Sequence, residues 1–460
     1  MKQDSKITLF GGALFLLCSH LLWAEDLPES EETMAEPGRL REGIDWISDK
    51  LNGELSLEYF DYFRDSANDP TDPYFGTDLT LDITGNISDS TSYVIVPHFR
   101  TDNGERTAEF FDFLERSQSR YYANFDEVFA DYYASNFRLT VGKQIYSWGV
   151  SDTYKPVENL NPYDVVDLPT AEKMGVYSVG ASGIWDSFSL ETVLIPWFTP
   201  TRLPKSDNRW IGNAQAQTRQ LRNLLGFDPN VAYNGRDMPA NTLDNLQGGV
   251  RLASSSLITG WDLGLTYIQG RDPIGALRAT PAALPTVNVE QVYQRFHEFG
   301  TTVSTTFGSV EAHVEAAYRD TIENDFDDDF VEYVAGINYT YYNFPGVQEL
   351  RLVLEYAGET VIERKVTGNN IVPTSQYIRP FKNSFLGSAE FRFTEETQFQ
   401  VASALNFEEY DFFFQPKLSH KFYSGIQLDI GLDFMEGNQN SFFGHWDTNN
   451  RVFVMASYAF

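Results

Sequence analysis

About eighteen stretches of this chain alternate apolar and polar residues with a period of two, and no other feature restricts its fold as much. They begin near Glu54, Thr77, Ser92, Tyr121, Phe137, Val176, Ser187, Asp244, Thr259, Gln294, Ser309, Asp328, Gln348, Ser384, Thr397, Asp411, Gly425 and Asn449. The plainest sets Ile426, Leu428, Ile430, Leu432 and Phe434 against Gln427, Asp429 and Asp433. Leu350, Leu352, Leu354 and Tyr356 oppose Arg351 and Glu355 in the same way. Neighbouring side chains of a strand point to opposite faces, so each stretch has one greasy side and one wet side.

The connections sort by parity. Short ones fall at Ser88–Ser90, Ser135–Asn136, Asp186, Ser254–Leu257, Phe307–Gly308, Phe344–Val347, Thr394–Glu396 and Tyr423–Ser424. Between them lie long ones at 65–76, 101–119, 150–175, 200–243, 272–293, 321–327, 361–383 and 437–448, with only Glu408–Tyr410 short out of turn. Tight turns at one end and long loops at the other, on an even strand number, describe a transmembrane antiparallel up-and-down β-barrel. The expected fold is therefore all-β, with about 18 strands (16 as the alternative), long external loops and short periplasmic turns. Val94 and Val96 against Tyr93 and Ile95 choose no face, which leaves the count open by two. Pro97 and Pro416 call for bulges or strand ends, because proline cannot donate to a ladder.

The chain ends as such barrels do. Val452, Val454, Ala456, Tyr458 and terminal Phe460 share one face of a last strand. At the other terminus Lys2 and Lys6, the apolar run Ile7–Leu22 and Trp23–Ala24 read as a signal peptide over 1–24. The only cysteine, Cys18, lies inside it, so the mature chain has neither disulfide nor thiolate metal site. Residues 25–52 form a short periplasmic segment, acidic at first, with Leu40, Ile44, Ile47 and Leu51 at helical spacing; residues 53–460 form the barrel. A helix is also expected over Ala214–Leu225.

No later segment has the run of apolar residues a membrane helix needs. Mean hydropathy is −0.33, because the lumen-facing half of every strand is polar. The net charge of −31 argues against nucleic acid or anionic lipid as a partner and fits long acidic external loops or a lumen that favours cations. Aromatics at 15% suit two interfacial girdles, to which Trp185, Trp261 and the Trp197–Phe198 pair are assigned.

The densest run of unusual residues is Gly142-Lys143-Gln144-Ile145-Tyr146-Ser147-Trp148-Gly149-Val150-Ser151-Asp152, continuing through Asn159-Leu160-Asn161-Pro162-Tyr163-Asp164 to Leu168-Pro169. Gly149, Pro156, Pro162 and Pro169 stiffen it and exclude regular structure. It fills the third external loop, and the expectation is that Trp148–Pro169 folds inward and narrows the channel; the alternative is packing across the outer rim. Lys143, Gln144, Tyr146, Trp148, Asp152, Asn161 and Asp164 are the candidates for constriction and solute contact, with Trp148 equally placed for a girdle.

Together with Val193-Leu194-Ile195-Pro196-Trp197-Phe198-Thr199-Pro200-Thr201-Arg202-Leu203-Pro204, this stretch resembles a family of Gram-negative outer-membrane barrels, porin-like and near the alginate-export porins. The resemblance covers about 40 residues. It implies a porin-like channel in the Gram-negative outer membrane and names no substrate. The alginate exporters carry a basic lumen as a family trait, whereas this chain is acidic.

The expected lumen charges are Arg138, Arg251, Arg319, Arg351 and Arg392 against Asp82, Asp262, Glu298, Glu311, Glu315, Glu332, Glu355, Glu390, Asp429 and Asp433. Facing arginines and carboxylates set up a transverse field that filters ions; cross-strand ion pairing explains the same residues. His313 between Glu311 and Glu315 invites a metal or acid–base reading, and a polar lumen ladder accounts for it equally. No nucleophile elbow, zinc helix or phosphate-cradling loop is present. The expected function is passive diffusion of small hydrophilic or amphipathic solutes, without enzymatic activity, cofactor or metal. A barrel hydrolase of lipase or esterase type, or a surface adhesin, is the alternative. Outer-membrane lipid and lipopolysaccharide, and the barrel-assembly machinery through Phe460, are the expected partners.

Overall fold

The computed structural model describes residues 51–460 apart from 67–68, 105, 206, 212–229, 283–284, 323–326, 366–370, 373–378 and 440. The signal peptide and the Ala214–Leu225 helix lie outside the described residues, as does the Leu40–Leu51 helix except for Leu51. That residue instead opens the first strand, two residues before the expected boundary.

Eighteen antiparallel strands close into one ring. In chain order they are β1 Leu51–Tyr62, β2 Tyr74–Ser88, β3 Thr91–Asp102, β4 Ala123–Ala134, β5 Phe137–Gln144 and β6 Val176–Trp185. Then come β7 Phe188–Ile195, β8 Gln247–Ile258, β9 Trp261–Arg271, β10 Arg295–Phe307, β11 Val310–Thr321 and β12 Asp329–Phe344. The ring finishes with β13 Val347–Glu363, β14 Asn383–Arg392, β15 Thr397–Asn406, β16 Asp411–Lys421, β17 Ile426–Glu436 and β18 Arg451–Ala459. Each pairs with its neighbour in sequence, and β18 pairs with β1 from Glu54↔Ala459 to Tyr62↔Arg451. Closure leaves no unpaired edge. The eighth turn sits at Thr259–Gly260 rather than Ser254–Leu257, where β8 is still strand.

The two prolines behave differently. At Pro97 the β3–β4 register shifts, as a bulge requires. At Pro416 there is no shift; the β16–β17 ladder runs from Phe414↔Phe434 to Lys417↔Gly431 with the intervening pairs unformed.

The outward side chains make an apolar belt: Leu57, Val141, Leu194, Leu265, Val314, Ile337, Leu354 and Ile430 are all exposed. Aromatic contacts edge it at both ends. Trp261–Phe307 and Tyr458–Phe460 lie at the short-turn end, Tyr59–Phe75 and Phe385–Phe407 at the long-loop end. Trp185 joins the short-turn group, being exposed. Phe198 does not belong to a girdle; it is buried against Tyr293. Such a belt is the surface a bilayer requires of a barrel.

Candidate functional site

The loop between β5 and β6, residues 145–175, lies inside the ring as a strap. Its own residues fold it. Asn161 ties both ends together, accepting from Tyr146 N (2.8 Å) and donating to Gln144 O (3.3 Å) and Met174 O (2.8 Å). Lys173 donates to Glu158 and to Tyr146 O. Trp148 turns inward, 2% exposed, with its indole N–H on Glu191 (3.2 Å). It packs with Leu160, Val176, Val193, Ile195, Ile268 and Phe296. Gly249 gives it a seat: a Cβ there would stand 2.9 Å from the indole ring.

The strap is pinned across the lumen by inward carboxylates of β10–β13. Val150 N and Ser151 N donate to Glu315, the latter at 2.5 Å. Asp152 N (2.7 Å) and Thr153 N (3.1 Å) donate to Glu355, as does the Thr153 hydroxyl. Tyr154 donates its hydroxyl to Glu332 (2.8 Å), and Asn159 donates to both oxygens of Glu298 (3.0 and 2.9 Å). Glu315 and Glu355 are 0% exposed. Fully buried carboxylates need donors on their oxygens; here the loop supplies them to Glu315 Oε1 and to both oxygens of Glu355, while Glu315 Oε2 has no partner among the described residues. Burial, and next to it the charge of Glu332, push the Tyr154 hydroxyl well above its ordinary value.

The strap's other half is held by arginines. Asp164 accepts from Arg202 Nη1 (2.7 Å) and Arg120 Nε (3.0 Å), with Arg100 at 3.8 Å. Burial alone would raise the Asp164 carboxyl; Arg120, Arg202 and Arg100 more than offset it and hold it below the usual carboxylate range. Asp167 accepts from Arg106 (2.7 Å) and from both Nη1 and Nη2 of Arg451 (2.6 and 3.0 Å). Arg451 also donates to Asp433 (2.5 Å) and to the Tyr62 hydroxyl.

These positions give most of the predicted contact residues a different job. Lys143, Gln144, Trp148, Asn161 and Asp164 are buried and Tyr146 half-buried, spent on folding and anchoring the strap. Lys143 is bound to Glu115 (2.7 Å) and Phe125 O, while Gln144 and Tyr146 share Ser178. Of the seven, Asp152 alone is exposed, bonded to Asn338 (2.6 Å) and Arg351 (2.8 Å).

The predicted lumen charges divide by height. Toward the short turns, Asp82 and Glu311 are exposed. Arg138 pairs with Asp131, Arg392 with Glu390 and Glu349, and Asp429 takes a bond from Gln427. Toward the long loops, Arg319, Glu315, Glu355 and Asp433 are buried under the strap rather than lining open water. Arg251 pairs with Glu191 at the margin. A carboxylate excess read from composition overstates the free charge, because Glu315, Glu355 and Asp433 are already spent on the strap or on ion pairs.

His313 lies opposite Gly336, which lies opposite Glu355. His313 Nε2 bonds Glu355 Oε1 (2.8 Å) across the glycine, where a Cβ would stand 2.4 Å from Nε2. Asp152, His313 and Glu355 carry ligand atoms within 4.8 Å of one another. Their bonding already consumes them. Glu355 accepts four donors, and a metal on Nε2 would move the ring proton to buried Nδ1, which has no partner. The trio is a latch holding the strap to the wall.

Residues 60–439 match the family described as "Protein of unknown function (DUF1302)". No curated protein matches the chain. Among solved structures, Pseudomonas aeruginosa OccK5 (OpdH) aligns with a TM-score of 0.49 at 9% identity, covering 89% of this chain and 97% of that one. Pseudomonas aeruginosa OccK11 (OpdR) aligns at 0.48 and 10%, covering 89% and 95%. A loop L8 deletion mutant of OmpT, an outer membrane protein of Vibrio cholerae, aligns at 0.41 and 12%, covering 89% and 98%.

Proposed function

We propose that this chain, which belongs to the DUF1302 family, is a Gram-negative outer-membrane channel for small hydrophilic or amphipathic solutes. The strap 145–175 sets its constriction. The observation that carries the reading is the seating of that strap on inward carboxylates of four successive strands, β10 to β13. An apolar belt and a closed ring support membrane insertion, with the short turns on the periplasmic side. Export by a signal peptide and recognition of Phe460 by the assembly machinery belong to the same proposal.

A cavity of about 420 Å³ lies on the long-loop side of the strap, among Tyr154, Lys155, Asn159, Tyr163, Lys173 and Arg319. That volume falls within the range that holds a small organic solute. On this reading it is the antechamber, and the water-filled lumen below the strap is the exit.

Planar-bilayer conductance of the purified protein tests the reading. Defined channel openings are expected, with conductance rising at least twofold in Glu315→Gln/Glu355→Gln, whose strap loses its anchors. Electrical silence together with ester hydrolysis would favour the barrel hydrolase instead. His98, His297, His313 and His420 give that alternative no support, since they bond carboxylates, a tyrosine and a threonine rather than a serine.

A further inference from the structure

Two buried arginines make their direct ion pairs with the strap, although Glu58 of β1 also lies within electrostatic reach of Arg120. Among the described residues, the ion pair of Arg106 is with Asp167 and that of Arg120 is with Asp164. Their neighbours differ. Arg100 also pairs with Asp78, Arg202 with Glu115, and Arg451 with Asp433, all carboxylates outside the strap. Take the two strap carboxylates away and guanidinium charge is left over in a water-poor site, which costs far more than exposing the same charge at a surface. The arginine cluster therefore requires an anion at this place whether or not the strap supplies it.

The cluster also has spare capacity. Arg106 Nε and Arg202 Nε are buried without an acceptor. A cavity of about 30 Å³, room for roughly one water, adjoins Asp164 between Arg100, Arg120, Lys143 and Arg202, with Glu115, Asp126 and Glu172 also on its wall. The geometry of the occupied positions is that of carboxylate recognition. Asp167 takes two nitrogens of one guanidinium, and all its contacts lie between 2.6 and 3.0 Å. Such planar forks accept any carboxylate, tethered or free.

We propose that this cluster is a binding site for the carboxylate group of a small organic acid, and that Asp164 and Asp167 are its resident occupants, displaced when a solute enters. The proposal deepens the channel reading and rests on it: the strap closes the lumen by presenting the group that the permeating solute carries. Exchange keeps the arginines neutralised throughout, so opening by an acid exposes no unpaired buried charge, whereas opening without one does.

Glutarate is the probe, compared at constant ionic strength with chloride and phosphate. In wild-type channels glutarate should raise open probability at least twofold over either salt. Asp164→Asn/Asp167→Asn, which vacates the site, should tighten glutarate binding in detergent micelles at least tenfold by calorimetry, and Arg106→Gln/Arg120→Gln should abolish it. Equal effects of glutarate and phosphate, or wild-type channels indifferent to glutarate, would overturn the proposal even if the strap variants fail to fold. A protein that conducts nothing in any salt yet binds glutarate at the arginines would sink the channel reading and leave the site standing.

Discussion

The two halves of the lumen are built from the same strands and behave as different materials. Along β11, Glu311 near the short turn is exposed, while His313 and Glu315, one and two inward positions further on, are 2% and 0% exposed. Along β13 the change falls between Arg351, exposed, and Val353, buried, followed by Glu355. Along β17 it falls between half-buried Asp429 and buried Asp433. Below this level the wall is a polar lining with local ion pairs. Above it the wall is a protein core whose opposing surface is a loop. Charge in the lower half is exposed or paired locally; charge in the upper half is buried and committed to the strap or to buried ion pairs.

If that division is real, perturbations should differ sharply in size between the halves. The largest effect is expected from Arg451→Met, which takes the cation from Asp433 and leaves Asp167 with Arg106 alone in the packed half. Loss of a buried partner of this kind costs about 3–5 kcal/mol, seen as a lowered temperature for the heat-induced mobility shift of the folded barrel. Glu355→Gln keeps the shape of the latch but turns one acceptor into a donor facing the donors of residues 152–153. It should cost about 1–3 kcal/mol and raise single-channel conductance. Gly336→Ala drives a methyl between His313 and Glu355 and should destabilise by a similar or smaller amount, about 1–3 kcal/mol for overpacking; an unchanged midpoint in urea would refute the latch.

Acidity probes the packed half from outside the membrane. His445 is buried in the loop turn Phe443–Asn449, next to the Trp446 side chain that donates to Trp210 O (3.1 Å). Burial holds its imidazole below the ordinary value near 6.5. The unfolded chain therefore takes up this proton first as pH falls. The loop's stability contribution from a neutral His445 is complete above about pH 6.5 and is lost between there and the lower folded value. His445→Gln should flatten that part of the stability–pH curve. The smallest effect belongs to the open half: Asp82→Asn should change stability by less than about 0.5 kcal/mol and show only as a shift in cation preference.

What the sequence discloses follows the same division. Every strand start lies within three residues of its expected place, because a wall with water on one side and lipid on the other writes a period of two into each strand. The strap was conspicuous for its glycines, prolines and asparagines, and Asn161 shows why, since one side chain satisfies three backbone groups at the loop's neck. Its anchors were not legible. Arg106, Arg120, Arg202 and Arg451 come from three separate loops or strands and converge only after the ring closes. Nothing in their local sequence marks them as partners of Asp164 and Asp167. Reading Glu315 and Glu355 as free lumen charge failed for the opposite reason: the alternation gives the face of a residue but not what covers that face.

The bond between Asp167 and Arg451 joins residues 284 positions apart, and Arg451 opens the strand that pairs with β1 to complete the ring. During assembly the strap is synthesised long before the strand that locks it. A barrel lacking β18 lacks both its seam and one clamp on its plug, so the last strand to arrive finishes two structures at once.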